Sequence, residues 1–261
     1  MGFLFRPKEL PRPASLTFTL DQAGHTYDDG HVGLAPTDIT ISELRVAVIG
    51  LNGAGKSTLL GLLDGSLKAN AGTVTIAGGE ERLDPAVKKD AKRIDNLVGK
   101  VRREEIPNSF YQAANISEAV SEALKKHKVP ESERHARIGN LFAHFDLAQV
   151  SKAKASELDS EKRHLLAIAA ALSFEPSAIV ADEPSKGLDE IGAAHVPKAL
   201  FSYNKQVIFV THDTDMIRRP RIRHRPRTGA GRARGRVDGA PAEAVAFYED
   251  LIRRKYEAAK R

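Results

Sequence analysis

Short apolar segments, separated by glycine-rich or polar segments, mark most of the chain. Residues 15–20 (SLTFTL) alternate between apolar and polar side chains, and further apolar runs follow at residues 45–50, 73–79, 177–182 and 206–212. Runs of this length predict β-strands. The segments AVIG and IVAD are apolar on both faces, which is the pattern of strands in a parallel sheet covered by helices. The pattern therefore predicts an α/β core.

The middle and the end of the chain have helical composition. Residues 88–154 are rich in Ala, Glu, Lys and Leu and are predicted to be mainly helical, most clearly at residues 116–129 and 136–148. This block is interpreted as a helical insertion in the α/β core. The tail from Ala240 predicts one terminal helix, because apolar side chains recur at helical spacing. These side chains are Val245, Tyr248, Leu251 and Ile252.

Composition narrows the class of protein. A chain of 261 residues fits one large α/β domain with a subdomain. It has no cysteine, which excludes disulfides and thiolate metal sites, and its nine histidines form no metal-binding motif. Its apolar runs are far shorter than the ~20 residues of a spanning helix, and its first residues lack the apolar core of a signal peptide. We therefore expect a soluble chain that reaches membranes only through a partner.

The positive charge is concentrated in one segment. The formal net charge is +6, but Arg218 to Arg236 holds nine arginines and no acid, so the rest of the chain has a formal charge of −3. A solvated loop is the favoured interpretation of this segment, and a patch for polyanions or anionic lipids is the alternative. The body of the protein is not basic, and we expect no direct binding of nucleic acid.

A phosphate-binding loop is the strongest chemical signal. Residues 50–57 (GLNGAGKS) match the pattern G-x-x-x-x-G-K-[ST] between a predicted strand and a predicted helix. Backbone amides and the helix N-terminus point at phosphate oxygens in such loops. Lys56 is expected to bridge the β- and γ-phosphates and Ser57 to ligate Mg²⁺. The predicted nucleotide-binding residues here are Gly50, Asn52, Gly53, Ala54, Gly55, Lys56, Ser57 and Thr58.

Two adjacent acids complete the predicted nucleotide site, one as a metal ligand and one as a catalytic residue. The apolar strand SAIVAD ends in Asp182 and is followed by Glu183. Asp182 is expected to hold Mg²⁺ together with Ser57, and Glu183 to orient or deprotonate the attacking water. Acids at a strand end are otherwise common surface residues, and the upstream loop is what favours the catalytic interpretation.

In order along the chain, GLNGAGKST, AIVADEPSKGLD and VTHD resemble the ATP-binding subunit of an ABC transporter from about Leu16 to Asp215. The resemblance implies ATP and Mg²⁺ as cofactors. Tyr27, 29 residues before Lys56, matches the aromatic that stacks on adenine, with an ordinary core tyrosine as the alternative. Asp189 matches the loop that communicates across an ATPase dimer, and His212 matches the histidine that senses the γ-phosphate.

This resemblance also implies a fold and a division of the chain. The expected fold is α/β: a P-loop NTPase core with a mixed, largely parallel sheet, an antiparallel N-terminal part and a helical subdomain. Residues 1–100 and 166–240 are predicted to form the two parts of the nucleotide-binding core. Residues 101–165 are predicted to form the helical subdomain with the signature region, and residues 241–261 the C-terminal helix.

Two segments depart from the family pattern. The signature Leu-Ser-Gly-Gly-Gln falls on residues 158–162, where the chain has Asp159, Ser160 and Glu161 instead of Ser-Gly-Gly. Carboxylates facing the γ-phosphate of an opposite subunit carry an electrostatic cost. Arg103 occupies the position of a glutamine that contacts Mg²⁺, and a guanidinium cannot ligate a cation. We therefore expect ATP binding to survive better than ATP turnover. The arginine-rich segment is a third anomaly, for which a local reading-frame change is one hypothesis.

Three functions remain open. The leading one is a cytoplasmic ATPase subunit, peripheral on the inner face of the membrane, which drives a separate transmembrane subunit and pairs with a second ATPase subunit. Within that class the chain resembles the energy-coupling-factor branch, which imports vitamins and metal ions. From this resemblance alone, the expected substrate is of the biotin or cobalt type. The alternatives are a weakly catalytic partner in an ABC heterodimer and a soluble nucleic-acid-associated ABC ATPase. The sequence does not identify the substrate, the direction of transport or the pairing.

Overall fold

A computed structural model describes residues 15–102, 106–203 and 205–218, and toward the C-terminus residues 243, 245, 246, 248–250, 252, 253 and 257. The strands are β1 (Thr17–Thr26), β2 (Val32–Ile41), β3 (Arg45–Val48), β4 (Ala71–Gly78), β5 (Glu81–Leu83), β6 (Val98–Arg102), β7 (Ala178–Asp182) and β8 (Gln206–Val210). The α-helices are α1 (Lys56–Leu63), α2 (Lys88–Leu97), α3 (Asn108–Gln112), α4 (Ile116–Lys126), α5 (Glu131–His144), α6 (Ser160–Leu172), α7 (Glu190–Ser202) and α8 (Thr214–Arg218).

The strands form two sheets. One is antiparallel with the order β2-β1-β4-β5, and the other is parallel with the order β3-β8-β7-β6. The predicted α/β fold class is confirmed, with the antiparallel strands toward the N-terminus and the parallel strands in the core. Since β8 lies between β3 and β7, the loops after these three strands open at one edge of the parallel sheet.

Apolar cores cover both faces of the parallel sheet. Ile179 and Ala181 of β7 pack into a core formed largely by the helices α4 to α7, while Ala178 and Val180 pack into a core shared with α1 and the antiparallel sheet. The side chains of β8 divide between the same two cores in the same alternating way. Burial on both faces explains why the sequence of these strands is continuously apolar.

The structure adds strands that the apolar pattern did not indicate. β6 lies inside the stretch that was predicted to be mainly helical, and it pairs with β7. Val98 and Val101 are buried, but Gly99 and Lys100 interrupt the apolar pattern between them. β2 was also missed, because most of its residues are exposed or only partly buried. The expected division at residue 100 falls within β6 and stays a prediction.

The predicted C-terminal helix is reached only in part. The described residues between 243 and 257 are helical, and Val245 and Tyr248 are buried. We refer to the described residues of this stretch as the C-terminal helical segment. Of the other two residues predicted for the apolar face, Ile252 is 44% exposed and Leu251 lies outside the described residues.

A buried glutamine joins the two sheets. Gln206, the first residue of β8, is fully buried. Its Oε1 accepts a hydrogen bond from the backbone nitrogen of Leu16 at 3.0 Å, and its Nε2 donates to the carbonyl oxygens of Leu16 at 3.0 Å and Glu43 at 3.1 Å. The side chain thereby satisfies main-chain groups next to β1 and β3 that are remote from each other in sequence.

Replacement of Gln206 by leucine is expected to lower the free energy of unfolding by about 1–3 kcal/mol, because it leaves buried main-chain groups without partners. Urea denaturation of the full chain measures the change. Gln149→Leu is the matched control, since Gln149 is exposed and surface changes typically stay within about 0.5 kcal/mol. Equal stability of the two variants would contradict the structural role of Gln206.

Candidate nucleotide-binding site

The loop between β3 and α1 has a shape that requires glycine. Gly55 occupies the N-cap position of α1 with φ of 80°, in the left-handed region. A Cβ atom there would lie 2.4 Å from the carbonyl oxygen of Gly33. Both the backbone angle and the close approach of the neighbouring strand therefore exclude a side chain at this position. The helix that follows presents its N-terminus to this loop, as anion-binding loops do.

The side chain of Lys56 folds back onto the phosphate loop. Its Nζ donates to the carbonyl oxygens of Gly50 at 2.8 Å and Leu51 at 3.0 Å. Burial lowers the pKa of Lys56, while the nearby carboxylates of Glu183 and Asp182 act in the opposite direction. The ammonium group is thus held among the loop carbonyls and near the predicted magnesium ligand Asp182 and the predicted catalytic acid Glu183.

The two predicted magnesium ligands are in direct contact. Ser57 Oγ donates a hydrogen bond to Oδ2 of Asp182 at 2.8 Å. Asp182 is the last residue of β7, and Ser57 lies in the first turn of α1 and is exposed to solvent. Hydroxyl and carboxylate oxygens are ligands that Mg²⁺ prefers, and Mg²⁺ usually takes few of them from the protein and the rest from phosphate and water. The pair fits such an ion.

The described part of the chain holds no cluster of three or more His, Cys, Asp or Glu side chains suited to a metal ion. Besides the two oxygens of Ser57 and Asp182, phosphate or water would supply the other ligands of a Mg²⁺ ion.

Glu183 is buried and its backbone is strained. Its φ of 51° lies in the left-handed region, where a residue with a side chain costs about 1–3 kcal/mol. The backbone nitrogen donates to the carbonyl oxygen of Val210 at 3.0 Å, so the end of β8 holds it in place. Strain of this kind persists where the surrounding structure enforces it, and it is concentrated at functional sites.

His212 faces Glu183 from the end of β8. Its Nε2 lies 3.1 Å from Oε1 of Glu183, and its backbone nitrogen lies 3.4 Å from Oε2. Burial lowers the pKa of His212, and the neighbouring Glu183 carboxylate only partly opposes this. The lowered pKa favours the neutral imidazole, in which one nitrogen is a donor and the other an acceptor.

Tyr248 is a site residue that sequence reasoning missed. Its hydroxyl is hydrogen-bonded to Nδ1 of His212, from the C-terminal helical segment. The sequence signal at Tyr248 was only its place on the apolar face of a predicted helix. A tyrosine in such a pattern is typical of a core residue, so the pattern alone gave no sign of contact with the site.

Tyr27 lies beside the start of α1. Its hydroxyl is hydrogen-bonded to Oγ1 of Thr58 at 3.0 Å, and 37% of the residue is exposed. The ring of His25 contacts it edge-on, with centroids 4.7 Å apart, and the ring of His31 lies nearly parallel at 6.2 Å. The structure therefore brings a partly exposed aromatic group to the phosphate loop. Stacking on adenine stays a prediction.

The carboxylates of the altered signature have partners within the chain. Asp159 caps α6, accepting from the backbone nitrogen and from Nζ of Lys162, each at 2.7 Å. The hydrogen bond from Lys162 holds the pKa of Asp159 below its usual range. Oε1 of Glu161 lies 2.6 Å from Nδ1 of His195 on α7. These contacts direct both carboxylates toward neighbouring side chains of the same chain.

The remaining predicted residues fall into two groups. Ser160 begins α6, with its carbonyl oxygen 2.7 Å from Nδ1 of His164, and Asp189 caps α7 by accepting from the backbone nitrogen of Gly192 at 2.8 Å. Their roles across a dimer stay predictions. Arg103 and nearly all of the arginine-rich segment from Arg218 to Arg236 lie outside the described residues, so the interpretations given to them stay predictions as well.

Residues 37–186 match the ABC transporter family. The chain belongs to this family. The matched range runs from β2 through the phosphate loop to the two acids at the end of β7 and covers more than half of the chain. ATP binding and membership of the ABC ATPases follow from the family. The residues predicted for these roles, Ser57, Asp182 and Glu183 with His212, lie in contact as two pairs in the structure.

Relatives of the chain include energy-coupling-factor proteins. The biotin transport ATP-binding protein BioM of Rhizobium etli is 26% identical over 90% of this chain and 99% of the relative. The energy-coupling factor transporter ATP-binding protein EcfA2 of Clostridium perfringens is 27% identical over 76% of this chain and 70% of the relative. The resemblance to the energy-coupling-factor branch is confirmed.

A solved structure has the same fold. It is cbiO1 of Clostridium perfringens, part of the ABC transporter complex cbiONQ, with a TM-score of 0.66 and 26% identity over 77% of this chain and 80% of the other. Within the ranges that the structure describes here, no helix is both long and apolar enough to cross a membrane.

Substitution of Gly55 by alanine is expected to abolish measurable binding of ATP, because the Cβ atom clashes with the backbone of Gly33. Isothermal titration calorimetry of the purified chain measures the affinity. Gly139→Ala is the matched control: Gly139 lies within α5, and an added Cβ there meets no atom within 4 Å. The control should bind ATP normally, and undiminished binding by both variants would show that the loop does not cradle phosphate.

Proposed function

We propose that this ABC transporter ATP-binding subunit hydrolyses MgATP and couples the hydrolysis to substrate uptake through a separate transmembrane subunit. The observation that carries the proposal is the contact between Ser57 and Asp182, with Glu183 and His212 beside it. A pocket that only bound nucleotide has no need of a buried acid in a strained conformation next to the metal ligands.

Each residue has a distinct part in this reaction. The amides of the phosphate loop and the N-terminus of α1 bind the phosphates, and Lys56 neutralises negative charge on them. Ser57 and Asp182 would hold Mg²⁺, which when bound would stabilise charge on the phosphate oxygens. The carboxylate of Glu183 orients the attacking water and accepts its proton. Nε2–H of His212 donates toward Glu183 and the terminal phosphate.

Partners and location follow from the class of protein. ATPase subunits of this kind bind nucleotide between two copies or between two related subunits, so we propose a second ABC ATPase subunit as a partner. The transmembrane subunit would hold the chain at the inner face of the cell membrane. Uptake of a vitamin such as biotin, or of a metal ion such as cobalt, is the proposed type of transport, supported by the name of BioM and by the resemblance to EcfA2 and cbiO1.

A second candidate function is a weakly catalytic subunit of an ABC heterodimer. The observation that favours it is the pair of carboxylates in the signature, Asp159 and Glu161. Even with partners in the same chain, these groups bring negative charge to a segment that in the family faces the γ-phosphate of the opposite subunit. The chain's own phosphate loop and catalytic acids would remain usable in such a pair. Binding of nucleic acid has only the arginine-rich segment in its favour and is not proposed.

The purified chain is expected to hydrolyse MgATP under steady-state conditions. Glu183→Gln should retain ATP binding and lose turnover, because an amide cannot accept the proton of water. Lys56→Ala should lose both. Phosphate release and equilibrium binding measure the two properties separately. Tight binding with no turnover in the unmodified chain would contradict catalysis by this chain alone and favour the heterodimer.

The altered signature is expected to limit the rate of hydrolysis. Restoration of the family pattern by Asp159→Ser, Ser160→Gly, Glu161→Gly and Lys162→Gln in one chain is expected to raise turnover, since it removes two carboxylates and keeps a hydroxyl as the cap of α6. The charge control is Glu122→Gln on α4, which removes an exposed acid outside the signature. Unchanged turnover in the restored chain would show that Asp159 and Glu161 do not limit hydrolysis.

A further inference from the structure

Tyr248 has an unusual position for a residue of the C-terminal tail. It contacts His212 across 36 positions of sequence, and nothing in the phosphate-loop or strand motifs involves it. Only 4% of Tyr248 is exposed, and Val245, one turn earlier, is fully buried. The C-terminal helical segment is therefore packed against the protein at the point where the tyrosine hydroxyl reaches the site.

The hydrogen bonds around His212 determine which ring nitrogen holds the proton. Oε1 of Glu183 lies 3.1 Å from Nε2, and a carboxylate oxygen accepts hydrogen bonds. This contact favours the proton on Nε2, which leaves Nδ1 of a neutral imidazole as an acceptor. The hydroxyl of Tyr248 can donate to that nitrogen, and this is the contact observed. The Tyr248 hydroxyl thus donates to Nδ1 of His212, and Nε2–H of His212 donates to Glu183.

The environment keeps both groups in the required state. Burial lowers the pKa of His212, which favours the neutral ring. Burial, with a further contribution from the Glu183 carboxylate, raises the pKa of Tyr248, which keeps its hydroxyl protonated and able to donate. Without the tyrosine hydroxyl, a neutral imidazole distributes its proton between two nitrogens according to its other contacts.

We propose that Tyr248 is a positioning residue for the nucleotide site: by donating to Nδ1 it holds His212 in the Nε2–H tautomer and orients that N–H toward Glu183 and the terminal phosphate. The proposal rests on the proposed function for its catalytic consequence, but the tautomer itself does not depend on turnover. It makes the C-terminal helical segment a component of the catalytic site.

A simpler structural role is distinguishable. If Tyr248 only anchors the tail, its ring is what matters and Tyr248→Phe should behave as the unmodified chain. If it positions His212, removal of the hydroxyl alone should have an effect while the packing of the ring remains. Tyr111→Phe is the matched control, because it removes a hydroxyl from a tyrosine that is 48% exposed on α3.

The direct test is nitrogen NMR of the full chain labelled in its histidines, at a pH where they are neutral, with His212→Gln used to assign the signals of His212. The unmodified chain and Tyr111→Phe should show His212 with its proton on Nε2. Tyr248→Phe should show a smaller share of the Nε2–H tautomer than the unmodified chain, because only the Glu183 contact then favours it. Unchanged tautomers in Tyr248→Phe would overturn the proposal.

Turnover supplies the second readout. Tyr248→Phe is expected to lower kcat for MgATP about 2- to 13-fold, the kinetic equivalent of one hydrogen bond. Little change in KM is expected, because the hydroxyl acts through its hydrogen bond to His212. Loss of the tautomer preference with full kcat would overturn the positioning role. If the unmodified chain shows no turnover, the proposed function fails, and the tautomer measurement alone decides whether Tyr248 directs the proton on His212.

Discussion

The hydrogen bond between Ser57 and Asp182 requires that two distant segments of the chain meet at one point. Ser57 follows β3 and Asp182 ends β7, and the two strands lie on opposite sides of β8. All three strands are parallel, so their carboxyl ends deliver the phosphate loop, the two acids and His212 to the same edge. Ligands bind at this edge in open α/β sheets because successive loops converge there.

Packing on both faces of the sheet fixes this edge. The side chains of β7 alternate between two separate apolar cores, so a slip of one residue would exchange every side chain between them. The same slip would move Asp182 away from Ser57. The strained backbone of Glu183 is tolerated because the residue before it is fixed in the sheet and its own nitrogen is bonded to Val210. Core packing and site geometry thus depend on the same strand.

Much of this arrangement could be predicted from the sequence. The phosphate loop and the strand before Asp182 carry strong local signals, since glycine at positive φ and apolar burial on both faces leave little choice of residue. β2 and β6 were missed because their pairing, and not their apolar content, determines their conformation. A five-residue strand such as β6, with glycine and lysine at its centre, is stabilised by contacts with β7 that no local pattern reveals.

The contacts of individual polar side chains were the least predictable part. Asp159 has its partner Lys162 three residues along the same helix, but the contact of Glu161 depends on α6 and α7 lying side by side. His195 reaches Glu161 from 34 positions away, and Tyr248 reaches His212 from 36. Such pairs are formed by tertiary packing. A periodic apolar pattern therefore predicts that a helix forms, but it does not predict which distant side chain contacts a polar residue on that helix.

From their direct hydrogen bond we propose that Ser57 and Asp182 together supply the protein's ligands in a magnesium–nucleotide site. The most direct test is calorimetric titration of ATP with and without Mg²⁺, for the unmodified chain and for Asp182→Asn, which keeps the size of the side chain and an oxygen for Ser57. We expect Mg²⁺ to tighten ATP binding to the unmodified chain and to have much less effect on the variant. An equal effect of Mg²⁺ on both proteins would contradict it.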